Sequence, residues 1–258
     1  MGKKGGSQAL KRKPAPRIWP IHRKEFTWTV RPTPGPHSME RCIPLVIMLR
    51  EILGFAKTRK EAKIIVAQGK VYVDGRVRRD DRFPVGLMDV VSIPDMDKTF
   101  RVLPHKKGLT LFPISKDEAD FKLCRIENKT TVKGGHIQLN LHDGSNILIK
   151  VADAKNPQED VYKTFDTLKV SLPERKILSH IPMREGVYAI ITGGKNQGVF
   201  GRVVEIEKAE GKRRKDLLVT IEDDAGNRYQ TILDFVLAIG ESQPLISLPK
   251  ATEVMQSV

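Results

Sequence analysis

A chain of 258 residues with 40% hydrophobic content has room for two or three small domains, none with a large core. Its 45 Lys and Arg against 31 Asp and Glu give a formal charge of +14 and a pI near 9.8, the balance of a protein with a polyanionic partner. Cys42 and Cys124 stand without CxxC or nearby His spacing, which excludes a disulfide framework and a zinc site and suits a reducing compartment. No apolar run reaches the length of a bilayer span, and the charged N-terminus lacks a hydrophobic h-region.

Residues 1–41 are rich in proline and carry ten of the basic residues against Glu25 and Glu40. The ten are Lys3, Lys4, Lys11, Arg12, Lys13, Arg17, Arg23, Lys24, Arg31 and Arg41. No helical or alternating period runs through them, so they are expected to form an extended arm that orders mainly against a partner. Of Trp19, Phe26 and Trp28, at least two are expected to tuck against the protein's own body; a ring left outside can stack on bases. His37, in the GPH segment, is a candidate RNA contact.

Pro44 suits the first turn of a helix over Leu45–Leu53, with Gly54 as its stop and Leu45, Met48, Leu49 and Ile52 on one stripe. A second helix, Arg59–Gln68, opens on a Thr58/Glu61 capping box and closes at Gly69. Ala62, Ile65 and Val66 form its apolar face; Arg59, Lys60 and Lys63 form a basic one, which taken alone also suits an ordinary solvated face. Lys70–Val73, an Asp74-Gly75 turn and Arg76-Val77 read as a hairpin, followed by strands at Asp89–Ile93 and Phe100–Leu103. Arg76, Arg78, Arg79 and Arg82 make a second basic cluster.

From Leu109 onward the pattern is β. Strands are predicted at Phe121–Val132, His136–Leu141, Asn146–Val151 and Thr167–Ser171, with turns at Gly134-Gly135 and Asp143-Gly144. Ala152–Asp160 reads as a polar loop and Pro173–Pro182 as a connector. Strands at Tyr188–Thr192, Val199–Glu207, Leu217–Glu222 and Tyr229–Ile232 suit a small SH3-like barrel. Lys212–Lys215 is a third basic cluster, and Ser242–Val258 carries no structural expectation.

The loop after Tyr188–Thr192 is glycine-rich and holds Lys195 and Asn196. Gly193, Gly194, Gly198 and Gly201 serve either a tight turn with positive φ or the close approach of a phosphate or base. A P-loop is excluded by Ala189 and Asn196, and a dinucleotide fingerprint by Asn196 and the strand that follows. The six histidines are scattered, with no HExxH or GxSxG, so nothing points to catalysis.

These segments occur in a familiar order. Cys42 to about His105 resembles the S4 RNA-binding domain, with VYVDG as its hairpin, and Gly186–Val204 resembles a KOW motif. The leader and FPVGLMDVVSIP are similar to the S4e family of small-subunit ribosomal proteins of archaeal and eukaryotic type. The resemblance implies an α+β, multidomain chain: a basic arm (1–41), an S4 domain (42–105), a central mostly-β domain (106–173), a KOW-bearing SH3-like barrel (174–240) and a tail (241–258). It also implies a structural, non-catalytic constituent of the cytoplasmic ribosome that binds small-subunit ribosomal RNA beside neighbouring ribosomal proteins, with no cofactor, metal, membrane or homo-oligomer.

In the S4 family the start of the second helix contacts RNA, which maps to Thr58, Arg59, Lys60 and Lys63. Charge adds Lys3, Lys4, Lys11, Arg12, Lys13, Arg17, Arg23, Lys24, Arg31, Lys70, Arg76, Arg78, Arg79 and Arg202, and the loop adds Gly193, Gly194, Lys195, Asn196 and Gly198. Two other readings stay open: an S4-containing RNA-modifying enzyme, for which no catalytic motif is visible, and a free KOW-type transcription or translation factor.

Overall fold

The computed structural model describes residues 9–153, 157–207, 211 and 213–249. They form two compact units, one comprising the described residues up to Val102 with Lys107–Pro113, the other Leu103–Lys106 with the described residues from Ile114. Strands dominate and helices are few.

In the first unit, β1 (Leu10–Lys11) pairs with β2 (Trp28–Thr29), and β3 (Cys42–Pro44) leads into α1 (Leu45–Ile47), which continues as a π-helical turn (Met48–Ile52). Residues Leu45 to Leu49 are all buried, so this element is enclosed on every side rather than along one stripe. The second helix, α2 (Arg59–Ala67), buries Ala62 and Val66. Then follow β4 (Tyr72–Val73), β5 (Arg76–Val77), β6 (Pro84–Gly86), β7 (Val90–Ile93), β8 (Lys98–His105), whose residues from Leu103 count with the second unit, and β9 (Gly108–Pro113). The main sheet has the order β5-β4-β7-β8-β9, and β3 pairs with β6. Asp74 and Gly75 turn the β4–β5 hairpin with φ of 52° and 72°, the double left-handed geometry a two-residue hairpin favours.

The basic arm differs from expectation, because some of its described residues join this unit's core. Ala15, Trp19 and Val30 are buried with the helices, and the Trp19 indole N–H donates to the Cys42 carbonyl at 2.6 Å. A chain without regular secondary structure leaves carbonyls to be satisfied. Here the Arg23 guanidinium accepts that task, donating to the carbonyls of Arg12, Lys13, Ala15 and Pro16 at 2.8–3.2 Å. The arm also lies tight on β9: a Cβ at Gly108 would stand 2.4 Å from the Ile18 carbonyl oxygen. Of the three aromatics one is buried, not two: Trp19 is 3% exposed, Phe26 61% and Trp28 58%.

The second unit contains α3 (Lys116–Ala119) and two antiparallel sheets. The first runs β12-β11-β10-β13-β14, from β10 (Phe121–Thr131), β11 (Ile137–Leu141), β12 (Asn146–Ile149), β13 (Thr167–Ser171) and β14 (Ile177–Ile181). A bulge between Ile126 and Asn128 divides β10, whose first half pairs with β13 and second half with β11. Alternation in β11 puts Ile137, Leu139 and Leu141 into the core. The span read as a connector, 173–182, contains β14, a correction. Its exposed Leu178 and Ser179 obscure the inward Ile181.

The second sheet is a half-barrel of order β18-β17-β16-β15-β19. Its strands are β15 (Tyr188–Ile191), β16 (Phe200–Ile206), β17 (Leu218–Glu222), β18 (Arg228–Ile232) and β19 (Val236–Gly240). All of β19 is buried, and its unbroken apolar run gives no alternation to read.

Two predictions test these packings. In the ligand-free chain, Trp28→Phe leaves Trp19 as sole emitter, with blue-shifted fluorescence and little acrylamide quenching; Trp19→Phe leaves a red-shifted, freely quenched Trp28. Equal quenching would mean an undocked arm.

The second concerns Lys122, whose ammonium lies buried 3.2 Å from Asp143. Burial pushes the Asp143 carboxyl up, but Lys122, His142 and the Ser145 hydrogen bonds outweigh it and hold the group well below the ordinary carboxylate range. The stabilisation is therefore complete above the ordinary value of 3.8 and is lost as the pH falls further below it. Asp143→Asn should cost about 3–5 kcal/mol in a urea titration at neutral pH, since it removes the carboxylate paired with a buried cation, and should flatten the acid limb of the stability profile.

Candidate nucleic-acid interface

The start of α2 is built by reciprocal capping. The Thr58 hydroxyl accepts the Glu61 N–H at 3.3 Å, and the Glu61 carboxylate accepts the N–H groups of Lys57 and Thr58 at 2.9 and 3.3 Å. These backbone donors hold the Glu61 carboxyl below its ordinary range. Thr58 is thus committed as a cap, while the basic side chains of the first two turns point outward.

Arg59 donates to Asp81 at 3.2 and 3.3 Å and ties α2 to the β5–β6 segment, yet its side chain stays 52% exposed. Lys60 and Lys63 are exposed, and no hydrogen bond or ion pair engages either ammonium among the described residues. Arg76 is exposed on the hairpin, and Arg79 is exposed beside the end of α2, its Nε 3.7 Å from where a Gly69 Cβ would stand. Arg59, Lys60, Lys63, Arg76 and Arg79 therefore form a cationic surface carried by α2 and the hairpin segment.

Other basic candidates also have local partners. Lys70 pairs with Asp95 at 3.0 Å, and the Arg78 guanidinium lies 4.2 Å from the Phe83 ring centroid. In the third cluster Arg213 pairs with Asp216 at 2.9 Å and Arg214 lies 3.8 Å from Asp166, while Lys212 lies outside the described residues.

The arm divides in the same way. Lys11, Lys13, Arg17 and Lys24 are exposed and Arg31 is half-buried; Lys3 and Lys4 lie outside the described residues. Arg12 is 4% exposed and donates to the carbonyls of His22 and Trp28 and to Glu25. His37 is buried, its Nε2 3.0 Å from both Asp89 oxygens. Burial and internal partners remove Arg12, Arg23 and His37 from the surface offered to a partner. Sequence reading passed over Lys57, an exposed cation whose signal is its place just before the Thr58 cap.

The β15–β16 loop is closed by Gly198 N–H to the Ile191 carbonyl at 2.9 Å and Ile191 N–H to the Val199 carbonyl at 2.8 Å. The Phe235 ring lies beneath it. A Cβ at Gly193 or Gly194 would stand 2.9 or 3.3 Å from that ring, and one at Gly201 would stand 2.1 Å from the Glu222 carbonyl oxygen. Gly194 and Gly198 have positive φ, 81° and 89°. Internal packing and turn geometry thus account for these glycines. Lys195 is exposed at the tip and Asn196 is half-buried. Arg202 is exposed, 5.5 Å from the Tyr188 ring centroid, and donates to the Ser242 carbonyl at 3.4 Å.

Comparison with known proteins shows the family. Residues 4–40 match the RS4NT (NUC023) domain, 44–91 the S4 domain and 96–177 the Ribosomal family S4e. A small ribosomal subunit protein eS4 from Staphylothermus marinus is 56% identical over 251 residues, covering 97% of this chain and 99% of the relative. That of Methanocaldococcus jannaschii is 49% identical, covering 96% and 100%. The crystal structure of the 30S ribosomal protein S4e from Thermoplasma acidophilum superposes with a TM-score of 0.63 at 34% identity, covering 78% of this chain and 96% of that one. Matched along nearly its whole length, the chain belongs to the S4e family of ribosomal proteins.

Proposed function

We propose that this chain is a structural constituent of the small ribosomal subunit in the cytoplasm that grips ribosomal RNA through the α2 surface, with the exposed arm cations and the β15–β16 loop as further contacts. The observation that carries the reading is the set of exposed cations on α2 and its hairpin, of which Lys60 and Lys63 have no acidic partner among the described residues. In this reading Lys and Arg neutralise phosphates and release counterions, and RNA shape rather than base edges sets specificity.

The division into arm (1–41), S4 domain (42–105), central β domain (106–173), barrel (174–240) and tail (241–258) belongs to the same proposal. So does the assignment of the half-barrel and its loop as an SH3-like barrel bearing a KOW motif. The protein acts as a single copy beside neighbouring ribosomal proteins, with no catalytic step, cofactor or membrane.

Gradient sedimentation tests the scaffold role: the chain should co-migrate with small subunits and stay with them through a high-salt wash, whereas a free or polymerase-bound pool would overturn it. For the α2 surface, Lys60→Ala with Lys63→Ala should weaken binding to a small-subunit rRNA fragment. The slope of log affinity against log salt should fall in magnitude by about one to two units. An unchanged slope would place the contact elsewhere.

A further inference from the structure

Two large aromatic rings remain on the surface of the first unit. Phe26 is 61% and Trp28 58% exposed, although Trp19, from the same arm, is buried. Burying either ring would contribute to stability, so their exposure means that folding of the isolated chain leaves them unused. Both are held by the opposing strand. Lys11 stands across from Trp28 in the β1–β2 register, its ammonium 5.9 Å from the ring centroid. The Arg12 N–H donates to the Thr27 carbonyl at 3.0 Å, and the Arg12 guanidinium lies 4.9 Å from the Phe26 centroid.

That guanidinium is itself fixed, by the His22 carbonyl at 2.6 Å and Glu25 at 3.2 Å. Each ring therefore has a cation near it while most of its surface stays open. Lys11, Lys13 and Lys24, near Arg12 or Phe26 in sequence, add exposed positive charge. Aromatic faces set among cations match the two parts of an unpaired nucleotide, a base that stacks and a phosphate that is neutralised. An apolar protein surface would leave those charges without partners.

We propose that Phe26 and Trp28 form a base-stacking subsite for unpaired nucleotides of RNA, with Lys11, Lys13 and Lys24 taking the adjoining phosphates. The subsite rests on the RNA-binding reading above but differs in kind from the α2 surface, because it selects single-stranded over duplex RNA. Buried Arg12 acts as a positioning residue, holding the ring of Phe26 without touching the RNA.

The test uses the full chain, a labelled single-stranded oligoadenylate and a labelled GC-rich hairpin RNA. Trp28→Leu should weaken oligoadenylate binding about tenfold, in line with the loss of one stacked base, and leave the hairpin affinity and both salt slopes unchanged. Trp28→Phe should restore most of the loss, because an aromatic face is what the base requires. In a Trp19→Phe background, oligoadenylate should quench Trp28 emission and the hairpin should not. Blue-shifted Trp19 emission in Trp28→Leu shows that the unit remains folded.

Equal binding by Trp28→Leu and the parent chain would overturn the subsite. So would a Trp28→Phe variant as weak as Trp28→Leu. Loss of sedimentation with small subunits without any loss of oligoadenylate binding would assign the rings to a protein neighbour and overturn it too. If the parent chain bound neither RNA, the broader reading would fail with it, whereas hairpin binding without a Trp28 effect would sink the subsite alone.

Discussion

Self-repulsion is the constraint under which this chain folds, since a formal charge of +14 opposes any compact state. The structure separates its cations into two populations. Several inside are matched: Lys122 to Asp143, Arg125 to Glu127 and to the carbonyls of Asp234 and Val236, and Arg12 to Glu25 and nearby carbonyls. Stripping one partner from such a group would leave a charge that the interior cannot solvate. Cations outside, such as Lys60 and Lys63 on α2, are left to repel one another. An RNA backbone on the proposed α2 surface would relieve that repulsion, so residues that weaken the free protein would strengthen the complex.

Much of this was legible in the residues, and where it was not the cause is physical. The capping box at Thr58 and Glu61 is a local device that needs no tertiary information, and it formed as read. The Asp74-Gly75 hairpin is local too. The arm was less legible because its anchors, Ala15, Trp19 and Val30, follow no period; their burial depends on the helices and strands that come later in the chain. For β14 and β19 the signal failed in opposite ways, one strand having exposed apolar positions and the other having no polar ones.

The candidate site was legible by residue type but not by role. Composition cannot distinguish Arg12, buried and bonded inward, from Lys11 and Lys13 on either side of it, both exposed. The loop glycines make the same point. A glycine-rich turn reads as an invitation to a ligand, yet Phe235 and the Glu222 backbone occupy the space that side chains at 193, 194 and 201 would need. Bulky substitution at these positions therefore perturbs the half-barrel before it can report on any partner, and the exposed ammonium of Lys195 is the cleaner probe.

Docking of the arm on its own body has a kinetic consequence. A segment that folds only on its partner must search conformations after first contact, and its association slows accordingly. Here Arg23 already clasps the carbonyls of Arg12, Lys13, Ala15 and Pro16, and Trp19 is already seated under Cys42. The described part of the arm thus arrives as finished surface. In the proposed reading, capture of RNA by this unit would be set by diffusion and by the long-range field of its outward cations, and would respond to ionic strength from the moment of encounter.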